Sequence, residues 1–144
     1  MSTPYDTALH RFDRTPLVLV ADDHPLFAQA LRHALTDWSF DVIDSARNGA
    51  EAVELAELHQ PDVILMDVHM PVIDGIEATR RTRAVAPNTR VIAITSDDSP
   101  AIAAAVRDAG ASRVLTKTCA PDELLFAVLQ AAAEVVPFRF PGAA

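Results

Sequence analysis

The sequence predicts an α/β domain: a doubly wound parallel sheet of five strands in the order 2-1-3-4-5, with helices on both faces. Three observations predict it. From Pro16 onward, short apolar runs alternate with helix-period patterns, which is how consecutive strand–helix–strand units read. The run VILM at 63–66 is apolar without a break, as expected of a central strand covered on both faces. Four of the runs also end on reactive side chains: the Asp22-Asp23 pair, Asp67, Thr95 and Lys117. The carboxyl ends of the strands in such a sheet share one edge, and ligands bind in the crevice there.

The elements follow in order. Residues 1–15 are polar, contain Pro4 and show no usable period. They are expected as an extension outside the core, with one turn of helix around residues 7–12. Leu17–Ala21 is the first strand. A helix follows, with Pro25 at its first position and Leu26, Phe27, Ala30, Leu31, Ala34 and Leu35 as its apolar stripe. Residues 38–40 lead into a weaker second strand, Asp41–Ala46. Asn48-Gly49 marks a turn before a helix at 50–59, whose apolar residues are Ala52, Val53, Leu55, Ala56 and Leu58.

Pro61 ends that helix, and the third strand is 63–66. A loop through Pro71 opens a helix at 75–86, closed by Pro87, and 91–94 is the fourth strand. Pro100–Ala109 is alanine-rich and stops at Gly110, a common C-terminal cap. Arg113–Thr116 is the fifth strand, and Pro121 opens a last helix at 121–135. Right-handed crossovers then place helices on both faces. The expected division is an extension at 1–15, one domain at 16–135 and a tail at 136–144.

Composition bounds the functional classes. Half of the 144 residues are apolar and 22% are charged, a globular balance. Net charge is −8 and no basic stripe stands out, so the chain itself is not expected to contact nucleic acid. A single cysteine excludes an internal disulfide and suits a reducing compartment. No signal-peptide pattern opens the chain, and no run approaches the ~18 apolar residues of a membrane span. A cytoplasmic protein without a membrane partner is expected.

The strand-end residues suggest a chemistry. Adjacent carboxylates such as Asp22 and Asp23 repel one another unless a cation sits between them. Mg²⁺ suits the role, because it takes oxygen ligands and is commonly held by one or two carboxylates plus phosphate oxygens. The bland alternative is that Asp23 caps the helix that starts at Pro25. Asp67 shifts the balance, since it emerges from the buried central strand beside the first. With the cluster neutralised, its carboxylate can serve as a nucleophile. The Thr95 hydroxyl and the Lys117 ammonium are suited to hold the oxygens of a transferred phosphoryl group.

The stretches LVLVADDHPLF, VILMDVHMPVIDGIEATR, VIAITS and AGASRVLTK together resemble the receiver domain of bacterial two-component response regulators, over about 16–134. The DDHP pattern and the non-proline residue after Lys117 are most similar to the NarL/LuxR-type branch. The resemblance implies a flavodoxin-like receiver fold in which Asp67 accepts phosphate from a sensor histidine kinase or a phosphotransfer protein. It implies Mg²⁺ bound directly by Asp23, Asp67 and the backbone carbonyl of His69, with Asp22 acting through water. Thr95 carries over as the switch hydroxyl and Lys117 as the phosphate-binding lysine. The implied function is a switch of partner or dimer contacts rather than turnover of a separate substrate, so the chain is not expected to be an enzyme.

Two positions depart from the family pattern. Many receivers carry an aromatic residue three before the lysine, where this chain has Val114, and a proline after it, where this chain has Thr118. His69 and Asp97 align with positions that flank the phosphate and are candidates to pair across it. His24 is read first as a local structural residue, and Cys119 as an ordinary thiol. Regulators of this branch normally carry a helix-turn-helix domain, for which residues 136–144 are too short. The chain is therefore expected either to act by protein contacts or to be part of a longer DNA-binding regulator. Two rival readings are a Mg²⁺-dependent phosphatase or phosphotransferase with an aspartyl-phosphate intermediate, and an interaction module independent of phosphate.

Overall fold

A computed structural model of the chain describes residues 11–97 and 99–138. Among them β1 (Leu17–Ala21), β2 (Asp41–Ala46), β3 (Val63–Asp67), β4 (Arg90–Thr95) and β5 (Arg113–Thr116) alternate with five helices. The helices are α1 (Pro25–Asp37), α2 (Gly49–His59), α3 (Gly75–Val85), α4 (Pro100–Ala109) and α5 (Pro121–Ala133). The strands form one parallel sheet in the order β2-β1-β3-β4-β5, as the sequence predicts.

Alternation along the strands divides the core into two layers. Val18 and Val20 of β1 and Val63 and Leu65 of β3 point to one face, where Leu31 and Leu35 of α1 and Leu125 and Val128 of α5 cover them. Leu19, Ile64 and Met66 point to the other, against Ala56 of α2, Ala78 of α3 and Val106 of α4. Every residue of β3 is buried, which accounts for its unbroken apolar run. Register sets what happens at the carboxyl edge. Ala21 lies opposite Met66, Asp67 opposite Ile94 and Thr95 opposite Thr116. β3 and β4 run one residue further than the sequence predicts, so that Asp67 and Thr95 are themselves the last strand residues.

Several helix starts are stabilised by short polar side chains. Asn48, Asp74 and Ser99 accept hydrogen bonds from the backbone N–H of Glu51, Glu77 and Ile102. α1 and α5 instead begin on Pro25 and Pro121, with no side-chain cap. Gly110 ends α4 at φ 119, a left-handed conformation that favours glycine.

Three expectations need correction. Phe12 is not outside the core: it is buried, its ring stands edge to face on Phe138 with centroids 4.9 Å apart, and the two backbones form an antiparallel bridge. Asp13 N–H donates to the Pro137 carbonyl, and Arg14 clasps the buried Asp62 through two 2.7 Å hydrogen bonds. A contact between residues so far apart along the chain leaves no local period to read. The helical turn expected at 7–12 falls, up to residue 10, outside the described residues, as does most of the tail.

The apolar stripe of α1 is also rotated from the expected one. Leu26 is 82% exposed and Ala30 is exposed, while Ala28, Leu31 and Leu35 face the core with Phe27 and Trp38 at its margin. In α2, Leu58 is exposed as well. Successive residues on a helix point about 100° apart, so a core face centred on Ala28, Leu31 and Leu35 has Phe27 at its margin and leaves Leu26 outside.

Candidate functional site

Parallel pairing brings the ends of β1, β3, β4 and β5 to one edge, and the residues singled out there converge as expected. Asp22 follows β1, and Asp67 ends β3; both are buried at 2% side-chain exposure. Lys117, just after β5, reaches back so that Nζ lies 3.0 Å from Asp22 Oδ2 and 3.3 Å from Asp67 Oδ2. Asp23 is more open. A crevice of about 670 Å³ opens beside these acids, lined also by Gln29, Arg32, Ser45 and Arg47.

Local structure holds each carboxylate in place. Asp22 Oδ1 accepts from the His24 backbone N–H at 2.8 Å, and Asp67 Oδ1 accepts from that of His69 at 3.3 Å. Asp23 does not cap α1, because the N-cap residue is His24 and no side chain makes a capping bond there. The bland alternative for Asp23 therefore fails. Behind Asp67 the loop to α3 folds in closely. Gly75 N–H donates to the Val68 carbonyl at 2.7 Å, and a Cβ on Gly75 would collide with the Asp67 carbonyl oxygen. Within this loop Val72 holds φ 70, which for a β-branched residue stores about 1–3 kcal/mol of strain.

The electrostatics combine burial with neighbouring negative charge. Burial pushes the Asp67 carboxyl up to about 6, the neighbouring Asp22 charge adds to the rise, and Lys117 and the His69 N–H offset only part of it. Of the two causes, the Asp22 charge is the one that also favours a cation beside these carboxylates. The donor set fits a divalent ion: one oxygen each from Asp22, Asp23 and Asp67 and a ring nitrogen of His24 lie within 4.8 Å of one another.

Thr95 is buried at the same edge, but its Oγ is engaged by the Asp97 N–H at 3.0 Å rather than by the acids. Asp97 in turn accepts from the Ser99 N–H at 2.9 Å, and among the described residues no hydrogen bond or ion pair joins it to His69. Among the described residues the two side chains are thus unconnected, the simpler of the two readings of these positions. Val114 lies opposite Ala93 of β4 and packs at the margin of the layer that holds Val106 of α4. Burial and the charge of Glu123 push the Cys119 thiol up, away from a reactive thiolate. Among the described residues no peptide bond is cis.

Sequence reasoning missed two participants. His24 Nδ1 lies 3.2 Å from Asp22 Oδ1 and 3.3 Å from Asp23 Oδ1, so it is a member of the cluster and not only a turn residue. Lys117 Nζ stands over the Phe27 ring, 4.7 Å from its centroid, and 3.2 Å from His24 Nδ1. The adjacency of His24 to the acidic pair was a usable signal; nothing in the sequence marked Phe27.

Residues 18–129 match the family model described as the response regulator receiver domain. The chain is 40% identical over 116 residues to the probable transcriptional regulatory protein NarL of Mycobacterium tuberculosis, covering 80% of this chain and 54% of that protein. It superimposes on the solved signal receiver domain of the putative response regulator NarL from the same organism with a TM-score of 0.77 and 37% identity, over 83% of this chain and 97% of the other. A Burkholderia pseudomallei response regulator, solved with a phosphorylated aspartic acid, a calcium ion and citrate, superimposes with a TM-score of 0.74 and 28% identity, over 83% and 70% of the two chains. The chain spans about half the length of the curated relatives it matches. Among the described residues no helix is long and apolar enough to cross a membrane.

Proposed function

The chain belongs to the response regulator receiver domain family, and from that premise we propose that it is a phosphorylation switch of a two-component system with Asp67 as acceptor. One observation carries the reading: the Lys117 ammonium bridges Asp67 and Asp22 at the strand edge, 3.3 and 3.0 Å away. A nucleophilic carboxylate and a cation able to follow the incoming oxygens stand side by side there.

In the reaction, Asp67 Oδ attacks phosphorus as the phosphorus–nitrogen bond of a donor phosphohistidine breaks, and the imidazole leaves with that electron pair. Lys117 moves from the carboxylates to a phosphoryl oxygen, and the Thr95 hydroxyl exchanges its bond with the Asp97 N–H for one to the phosphoryl group. Asp23, Asp67 and the His69 carbonyl would hold Mg²⁺ directly, with Asp22 behind them. When bound, Mg²⁺ supplies charge neutralisation and orients phosphoryl oxygens. The movement of Thr95 at the end of β4 is passed to the segment opening α4, changing which partner or second copy that face prefers. The donor is a sensor histidine kinase or a phosphotransfer protein.

Mass spectrometry of the chain treated with acetyl phosphate and Mg²⁺ tests this. A single phosphoryl adduct, lost in Asp67→Asn, is expected. No adduct on the parent, or one that persists in Asp67→Asn, would overturn the assignment.

A further inference from the structure

Three of the twelve basic residues in this acidic chain fall within four positions of one helix. α3 carries Arg80, Arg81 and Arg83 against the single acid Glu77, whereas α2 carries Glu51, Glu54 and Glu57 and neither lysine nor arginine. The two helices lie side by side on the same layer of the core, through Ala52 and Ala56 of one and Ala78 of the other. They also run in the same direction. The Gly49 N–H donates to the Pro71 carbonyl just ahead of α3, and the Gln60 side chain donates to the Val85 carbonyl at its end, 3.1 Å away. With a rise of about 1.5 Å per residue in each helix, the stretch 54–57 lies about level with 77–81.

These charges are open to solvent. Glu54 and Glu57 are exposed, and among the described residues no ion pair joins α2 to α3. Arg80 and Arg81 are more than half exposed and share one carboxylate, that of Glu77. Each guanidinium has five N–H donors, so one carboxylate cannot satisfy both, and one positive charge is left over. Leu58, one turn beyond Glu54, is 73% exposed and adds an apolar side chain to the acidic stripe.

We propose that this face docks a second copy of the chain, with α2 of each copy lying against α3 of the other. The pattern of signs selects the occupant. A uniformly acidic partner, nucleic acid included, is repelled by α2, and a uniformly basic one by α3. A matching partner needs both signs, side by side and at the same level. A two-fold axis laid along the groove between α2 and α3 supplies that pattern from the chain itself, because it carries α2 over α3 without reversing either helix.

Every contact between an acid and an arginine is then made twice, as in any isologous interface. Exposed ion pairs are individually weak and are screened by salt, so the dimer is a low-affinity one that depends on ionic strength. None of these residues belongs to the acceptor cluster at the strand edge, so the dimer stands or falls separately from the phosphorylation of Asp67.

Sedimentation equilibrium of the full chain tests this, on the parent and on two charge-reversed variants. Glu54→Lys with Glu57→Lys makes the face basic, and Arg80→Glu with Arg81→Glu makes it acidic. The parent should dimerise with a Kd of about 100 µM or tighter in about 50 mM salt, and about threefold or more weakly in about 300 mM. Each variant alone should lose about tenfold or more in affinity. An equimolar mixture of the two should form a heterodimer at about the parent's affinity, since each basic helix then meets an acidic one. The mixture also guards against misfolding, because two unfolded variants would not restore the contact. A parent that stays monomeric to about 500 µM at low salt would overturn the proposal. So would a dimer that either variant retains, or two monomeric variants that fail to pair when mixed.

Discussion

The Lys117 ammonium rests over the face of the Phe27 ring, 4.7 Å from its centroid, while it bridges Asp22 and Asp67. Phe27 sits at the margin of the α1 and α5 layer, so core packing fixes the plane against which the lysine is aimed. A cation–π contact of this kind is worth about 0.5–1 kcal/mol at a partly open site. Phe27→Leu should therefore slow labelling of Asp67 by acetyl phosphate about two- to fivefold, while Phe27→Tyr stays close to the parent. Equal rates in Phe27→Leu and the parent would remove the ring from the account.

The proton affinity of Asp67 makes a prediction about stability. Its carboxyl is raised from 3.8 to about 6, chiefly by burial and next by Asp22. The folded chain therefore holds this proton more tightly than the unfolded chain. The favourable contribution is present below about pH 4 and is lost as the pH rises through 6. At about pH 7.5, with divalent ions chelated, Asp67→Asn should be the more stable protein by about 1 kcal/mol, after discounting for the Lys117 contact that the substitution also weakens. Urea denaturation at about pH 3.5 should show that gap closed; a gap independent of pH would contradict the assignment.

Gly75 is the point where the loop after β3 presses on Asp67. Gly75→Ala would drive a methyl group into the Asp67 carbonyl oxygen, and relief requires the backbone of Asp67 itself to move. The expected cost is about 2–3 kcal/mol, together with slower labelling of Asp67. Thermal denaturation and labelling rate should fall together. A variant as stable as the parent would show that the loop has more freedom than its hydrogen bond to Val68 implies.

The strap through Phe12 and Arg14 makes a testable boundary. A fragment of residues 16–135 loses the Phe12–Phe138 contact and leaves Asp62 without its guanidinium. It should be less stable than the full chain by about 3 kcal/mol, with Arg14→Ala alone costing about 1–2 kcal/mol because that side chain is half exposed. Equal stability of fragment and full chain in urea would show the strap to be superficial.

Much of this molecule was legible because its logic is periodic. β3 announces itself as a run without polar breaks, and a parallel sheet obliges Asp22, Asp67, Thr95 and Lys117 to share an edge wherever the helices lie. The misreadings have a different origin. Leu26 and Phe27 are equally apolar, and only the direction in which α1 leaves Pro25 decides which one faces the core. Phe12 finds its partner in Phe138, and Lys117 reaches His24 from the far end of the domain; such contacts have no spacing that a sequence displays. The Asp97 carboxylate instead accepts from the nearby Ser99 N–H, a local turn contact that the sequence spacing of His69 and Asp97 does not display.

The antiparallel bridge between Phe12 and Phe138 gives the domain a common doorway: the chain enters and leaves side by side. A module with adjoining entry and exit can be set into a loop of another protein without pulling that loop apart. It also suits a proximity reporter. A fluorophore pair attached at Asp13 and Pro137, whose backbones are hydrogen-bonded, begins at close range, so fraying of this junction would register as a loss of energy transfer even while the sheet stays intact.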